Sequence, residues 1–393
     1  MPVSEEKPLV IGIVAGEQSG ENLAVDLVES ITARTGVPPR LVGVGGGRLA
    51  EMGLKSVFDP TEIAITGVTA VLAVLPRLFL RIRQTATALI ATRPDVIVFV
   101  DSPDFSLRVA KRVKRALPDT PIIKYVSPTV WAWRPQRARK MAAFVDCVLA
   151  ILPFEPEVMR DLGGPQTHYV GHPLAADPDL DAVWKARKRK AAGKADDFDL
   201  LVLPGSRTRE VKGLLPDFAR AVALLHERGH RFRVSIPTLP RLAALVEQET
   251  AGWPVVPRVT VTRDDKMNAF READVALAAS GTVILELALA GIPVISCYRT
   301  DPIIRFAVSM IHAWSAALPN IIADRPIVPE YIDFLIRPGM LARRIEELVE
   351  PKSLAAKAQM AGFSRVHELM AVDEKPGARA AEIILDAVAR PAG

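Results

Sequence analysis

Cysteine is almost missing from this chain of 393 residues: only Cys147 and Cys297 occur, far apart, each inside an apolar run. Two such thiols exclude a disulfide framework and a cysteine metal site, and the expected setting is a reducing cytoplasm. A dominant charge of one sign is also lacking. Fifty Lys and Arg against 45 Asp and Glu leave a net +5. That mild excess suits an anionic partner, such as a nucleotide, a phosphorylated lipid or an acidic membrane face. With no aromatic–basic interleaving and no zinc-finger spacing, nucleic acid is not expected. No uncharged stretch reaches the roughly 20 residues that span a bilayer. Ile63 to Pro76 is an apolar stretch of fourteen residues without a charge. The N-terminus, MPVSEEKP, is acidic and polar and leads straight into a strand-like run, so no signal peptide is expected. A G-x-G-x-x-G fingerprint is absent too, which argues against a dinucleotide fold of that kind.

Present instead is a strand–loop–helix rhythm. Apolar runs at Leu9–Ala15, Leu41–Val44, Asp95–Val100, Ile122–Val126 and Val145–Ile151 alternate with helical patterns. Continuous β-branched runs between helices predict a parallel, doubly wound sheet. Residues 177–199 are charged and poor in large apolar side chains, and include Arg187–Lys190 (RKRK), expected as a solvated helix face. A second cycle begins at Leu200 and runs through Pro293–Tyr298. The expected organisation is a Rossmann-like domain over 1–176, a charged linker over 177–199 and a second Rossmann-like domain over 200–345. A helical segment over 346–393 follows, and its return to the first domain is left open.

In such sheets ligands bind beyond the carboxyl ends of strands, so the loops there are the candidate sites. GEQSGEN (Gly16–Asn22) puts Glu17 at the end of the first strand, with Ser19 as a candidate helix cap. VDSPDF (Val100–Phe105) puts Asp101 at the end of the most apolar strand. A carboxylate there is either a helix cap or a general base, and Asp104 is the better capping candidate. In the second half, LPGSRTRE offers the Ser206 hydroxyl, the backbone there and the Arg207 guanidinium to phosphate oxygens. ASGTVILE places Ser280, Gly281 and Thr282 at a helix start, which favours diphosphate, with Glu286 one turn along the same face. His168 and His172 are four apart in a strand-like segment with no third ligand near, so metal binding is not expected.

YVSPTVWAWR (Tyr125–Arg134) reads as a rigid loop with two indoles, and short motifs follow at LPFEPE (Leu152–Glu157) and VGHPLAAD (Val170–Asp177). Together with the loops above, this set resembles the lipid-A-disaccharide synthases, over most of residues 9–335. The resemblance implies a GT-B fold, two Rossmann-like doubly wound parallel-sheet domains facing an interdomain cleft. It implies an inverting hexosyltransferase with no cofactor and no metal. The implied substrates are UDP-2,3-diacylglucosamine as donor and 2,3-diacylglucosamine 1-phosphate as acceptor, joined β(1→6) with release of UDP. Asp101 then matches a functional aspartate and is the candidate base, with Glu17 as its rival. Asn320, expected in a proline-bounded loop, LPNIIADRPIVPE (Leu318–Glu330), becomes a site residue, and Glu286 is placed as in GT-B enzymes that bind ribose hydroxyls. Glu21 stands where the family commonly has Asp.

From Val68 to Ile82 apolar residues recur at threes and fours, with Arg77, Arg81 and Arg83 interspersed. A core helix is the ordinary reading. The acylated substrates and the resemblance favour an interfacial one, through Val68, Val71, Leu72, Leu75, Leu78 and Phe79. The expected place is the cytoplasmic face of the inner membrane, and a homodimer is left open. Two other functions fit parts of the pattern: a sugar-nucleotide epimerase of the same fold, and a non-catalytic UDP-dependent membrane adaptor.

Overall fold

The computed structural model describes residues 8–62, 75–187, 197–300, 312–350 and 352–389. It divides into two compact units, one made of residues 1–173 with 372–393 and the other of residues 174–371.

The first unit carries a parallel sheet ordered β3-β2-β1-β4-β5-β6-β7. Its strands are β1 (Val10–Ala15), β2 (Arg40–Val44), β3 (Lys55–Ser56), β4 (Val96–Val100), β5 (Ile122–Tyr125), β6 (Cys147–Ala150) and β7 (Gln166–Tyr169). The strands at the centre are apolar throughout because helices cover both faces, and all five residues of β4 are buried. On one face lie α1 (Gln18–Thr35) and the last helix, α15 (Pro376–Ala389), whose Ala380, Ala381 and Ile384 join the core of Leu27, Ile31 and Val98. On the other face α3 (Leu75–Thr92) and α4 (Pro103–Ala116) cover Ile97 and Phe99 through Ile82, Leu89, Val109 and Val113.

The second unit repeats the design, with the order β10-β9-β8-β11-β12-β13. These are β8 (Asp197–Leu203), β9 (Arg231–Pro237), β10 (Arg258–Thr260), β11 (Val275–Ala279), β12 (Val294–Tyr298) and β13 (Glu330–Ile332). Helices α8 (Thr208–Glu227) and α13 (Pro338–Val349) seal one face around Phe218, Leu277 and Ile345. In both sheets the chain reverses direction of growth between two adjacent central strands, β1 and β4 in one and β8 and β11 in the other. A ligand crevice opens outside the carboxyl ends at such a point.

The boundaries differ from those expected at the charged stretch. Residues 178–187 form α7 (Pro178–Arg187), which buries Leu180, Val183 and Trp184 in the second unit. Arg187 is not solvated. Its Nε donates to the Gly291 carbonyl at 2.8 Å and Nη1 donates to the Ala273 carbonyl. It thereby satisfies the ends of two helices, where a cation is favoured. The tail divides as well: α14 (Leu354–Met370) belongs to the second unit and α15 to the first.

Candidate functional site

At the second unit's switch point a cavity of about 590 Å³ is lined by the loop after β8 and the start of α11 (Thr282–Ala290). Gly281 is the N-cap of α11 and offers no side-chain cap, so the first N–H groups of the helix are left for a ligand. Ser280 stands beside it, its Oγ donating to the Ala316 carbonyl at 3.4 Å. Glu286, one turn in, receives Lys266 Nζ on Oε2 at 2.6 Å. Lys266 sits on α10 (Arg263–Glu272), whose N-terminus is capped by Thr262 accepting from Asp265 N. Oε1 of Glu286 keeps its acceptor capacity for a hydroxyl in the cavity.

The loop after β8 departs from expectation. Its backbone donors at Ser206 and Arg207 are already used: both N–H groups donate to Glu210 Oε2, at 2.8 and 3.2 Å. Arg207 Nη1 also donates to Glu210 Oε1, at 3.1 Å. Gly205 has φ +114, and a Cβ there would lie 2.4 Å from Glu210 Oε2, so the loop closes on that carboxylate only with glycine. What remains on these two residues for a diphosphate is the Ser206 hydroxyl and the other guanidinium N–H groups of Arg207, whose side chain is 64% exposed.

In the first unit Glu17 and Asp101 follow β1 and β4, the two strands at its switch point. Glu17 is itself the N-cap of α1, without a side-chain cap bond, and Ser19 lies exposed inside the helix, so Ser19 is not the cap. A Cβ on Gly20 would lie 3.6 Å from the Asp101 Cβ, which places the Asp101 side chain against the first turn of α1. Asp101 and Ser102 both adopt left-handed φ, +52° and +43°. For non-glycine residues each costs about 1–3 kcal/mol and persists only where neighbours enforce it. Ser102 is the N-cap of α4 but makes no side-chain cap bond. Asp104 does not cap either. It lies in the first turn and pairs with Arg137 at 2.7 Å.

The aromatic loop and the LPFEPE stretch, separate in sequence, meet here. Trp131 Nε1 donates to Glu155 Oε1 at 3.4 Å, and the Trp131 and Phe154 rings meet edge to face at 5.4 Å. Burial pushes the Glu155 carboxyl up to about 8, against the pull of the Leu152 N–H and Trp131. His172 is buried as well, and desolvation draws its ring down to about 4, so it is neutral near pH 7.

A model of the family described as Lipid-A-disaccharide synthetase matches residues 11–384. A lipid-A-disaccharide synthase of Rhodopseudomonas palustris is 41% identical over 376 residues, 95% of each chain. The chain belongs to the lipid-A-disaccharide synthase family. A synthase of Rhodospirillum centenum is 41% identical over 388 residues, 98% of this chain and 96% of its own. Among solved structures, Acinetobacter baumannii MurG has a TM-score of 0.60 at 14% identity, covering 97% of this chain and 100% of its own. A UDP-GlcNAc 2-epimerase of Methanocaldococcus jannaschii, solved with UDP-GlcNAc and UDP, has 0.56 at 12%, covering 97% and 100%. At such identities the likeness carries the fold alone, and that fold is GT-B.

Asn320 lies on a short helix, α12 (Leu318–Ala323), not in a loop, and is 1% exposed. Its Nδ2 donates to the Val328 carbonyl at 3.0 Å and Ser315 Oγ at 3.1 Å, and its Oδ1 accepts from Ile327 N and Val328 N at 2.9 and 2.7 Å. Glu330 Oε1 accepts from Ala316 N at 2.9 Å. Asn320 is therefore a brace for the segment whose Ala316 carbonyl meets Ser280, rather than a group open to substrate. Glu21, the departure from the synthase pattern, faces the loop after β2. A Cβ on Gly47, at φ +41°, would lie 2.4 Å from Glu21 Oε1.

Of the residues expected at the membrane, Val68, Val71 and Leu72 lie outside the described residues, as does the Leu75 side chain. Leu78 is half-buried against the core, Phe79 is 50% exposed and Leu80 51%, and Ile82, in the same apolar stripe, is fully buried. Arg77 and Arg81 both pair with Glu62 at 2.7 Å, so one carboxylate offsets one of the two charges and the trio keeps a net +1. Sequence reasoning missed Lys266, Glu210 and Lys124. Glu210 closes the LPGSRTRE motif but reads there as an ordinary surface acid, whereas Lys266 and Lys124 sit outside the motifs and reach Glu286 and the Phe99 and Asp101 carbonyls only through packing of separate elements.

Proposed function

We propose that the protein is an inverting glycosyltransferase that condenses UDP-2,3-diacylglucosamine with 2,3-diacylglucosamine 1-phosphate to the β(1→6) disaccharide 1-phosphate and UDP. The observation that carries this reading is the match to the synthase family along nearly the whole chain, with complementary chemistry at the two switch points. The crevice beside β8 and β11 takes the donor. The α11 N-terminus, Ser206 and Arg207 meet the diphosphate, and Glu286, steadied by Lys266, accepts from the ribose. The acceptor hydroxyl belongs at Asp101. Its oxygen forms the new bond to the anomeric carbon as its proton passes to the Asp101 carboxylate. The anomeric carbon–oxygen bond breaks, and UDP departs with the electron pair. Glu17 is the second acid at that end and would serve if Asp101 does not.

The reading extends to a membrane face. Among the described residues no helix is long and apolar enough to cross a bilayer. The apolar pair Phe79 and Leu80 is supported by a cationic stripe, Arg108, Lys111, Arg112 and Arg115, exposed along α4. Arg108 lies over the Phe79 ring at 5.7 Å, joining the two features. Like charges three and four apart destabilise a helix, and an anionic lipid surface relieves that repulsion. The inner membrane's cytoplasmic face has the charge and the acylated substrates this surface suits.

The deciding assay measures UDP release from UDP-diacylglucosamine with and without the acylated acceptor. Release that depends on the acceptor, with a disaccharide formed, is the expected result. Equal activity on deacylated UDP-glucosamine without acceptor would favour an epimerase.

A further inference from the structure

Lys124 is a lysine inside the sheet. It lies on β5, is 1% exposed, and shares its face with the core of Ile97, Phe99 and Ile122. Burying an ammonium is costly unless its donors are met. Here Nζ meets three backbone carbonyls: Asp101 at 2.6 Å, Tyr125 at 3.1 Å and Phe99 at 3.3 Å. Three acceptors match the three N–H groups of the charged form. The shortest of these bonds goes to the first of the two residues with left-handed φ, whose carbonyl also accepts from Ser106 Oγ at 3.1 Å. The Asp101 N–H donates in turn to the Tyr125 carbonyl at 3.0 Å. Both backbone groups of Asp101 are thus held to the end of β5. Burial draws the Lys124 ammonium down to about 7, and the charge of Asp101 pulls it back up.

We propose that Lys124 is a positioning residue for the transfer reaction: its ammonium holds the carbonyl of Asp101, and with it the strained Asp101–Ser102 turn, in the one conformation that presents the Asp101 carboxylate to the acceptor hydroxyl. A positively charged core lysine is otherwise a poor choice where an apolar residue would pack. The strained turn is what it stabilises, since two successive left-handed non-glycine residues need an enforcing neighbour. The inference rests on Asp101 acting as the base.

The test compares Lys124→Met, Asp101→Asn and the double variant, reading kcat, KM for the UDP-sugar, UDP affinity and thermal melting. Misplacing a base by an ångström costs on the order of 100-fold in rate. Lys124→Met is expected to lose about that in kcat, with KM and UDP affinity unchanged because the donor crevice is in the other unit. Added to Asp101→Asn, it should cost almost nothing more, since both act through one carboxylate. Lys124→Arg, which keeps a cation, should recover part of the lost rate.

A folded Lys124→Met with wild-type kcat, beside an inactive Asp101→Asn, would overturn the role of Lys124 and leave the base standing. Full activity of Asp101→Asn would remove the base and this inference with it. Losses that multiply in the double variant would mark Lys124 as structural only and overturn the proposal. If Lys124→Met does not fold, Lys124→Gln replaces it under the same criteria, and failure of both to fold would place Lys124 in the core alone and overturn the proposal.

Discussion

Helix α3 allows one contrast that separates a lipid-facing surface from the core within a single turn. Phe79 and Leu80 are half-exposed, whereas Ile82 is fully buried. Changing Phe79 and Leu80 together to Ser gives up the packing of their buried halves, together with the contact of Arg108 on the Phe79 ring, about 0.5–1 kcal/mol at an exposed site. The apolar surface they could bury in a bilayer is larger. Half of a Phe side chain and half of a Leu come to roughly 180 Å², or about 4–5 kcal/mol at about 25 cal/mol per Å². That is roughly a thousandfold in partitioning. Ile82→Ala should do the reverse: it opens a cavity and costs about 2–5 kcal/mol. In a unit of this size that is a fall of roughly 5–15 °C in melting temperature. The assay is sedimentation with anionic vesicles, paired with thermal melting, on both variants. The Phe79→Ser/Leu80→Ser protein should stay in solution, and Ile82→Ala should sediment as before and melt early. Unchanged vesicle binding by the first variant, with a large drop in its melting temperature, would refute the membrane reading of this helix.

Three further results are expected. Arg207→Ala should weaken UDP binding by about 1.5–3 kcal/mol, the scale of a charged hydrogen bond, and unchanged affinity by calorimetry would remove Arg207 from the phosphate site. Asn320→Ala strands the buried N–H groups of Ile327 and Val328, so it should cost about 3–5 kcal/mol of stability and loosen UDP binding through the Ser280–Ala316 contact; wild-type melting would contradict the bracing role. Glu155 keeps its proton up to about pH 8 when folded and only to about 4.5 when unfolded. Folding therefore takes up a proton between those values, and stability falls as pH rises through the window, by about 1.4 kcal/mol per unit. Glu155→Gln should flatten that slope and be the more stable protein at pH 8. Equal slopes for both proteins in urea unfolding at pH 5, 6.5 and 8 would count against a buried protonated carboxyl.

The local reading of the chain rests on short-range signals, and those were legible. A parallel sheet covered on both faces writes itself as continuous apolar runs, so β1, β4 and β11 were visible as strands, and the loops behind them followed. Glu17, Asp101, Ser206 and Ser280 stand out as candidates because the crevice of a doubly wound sheet lies at strand ends, a rule that needs only the order of elements. The seven separated motifs were enough to suggest the family. Tertiary structure decided what each side chain touches. Ile82 and Phe79 share one apolar stripe, yet one faces the sheet and the other solvent, because the period of a helix cannot say how far its buried arc extends. Glu210 takes the loop donors that the motif offered to phosphate, and Lys266 reaches Glu286 from a helix twenty residues earlier. Asn320 is sealed in the core, and Arg187 closes two helix ends in place of facing water. Lys124 in a run of apolar residues looks like an interruption, and only the neighbouring strand end supplies two of the three carbonyls that justify its charge, the third being that of Tyr125 beside it. For Lys266, Arg187 and most of the Lys124 contacts the partner lies on another element, so its identity follows from strand order and helix packing, which local pattern does not encode.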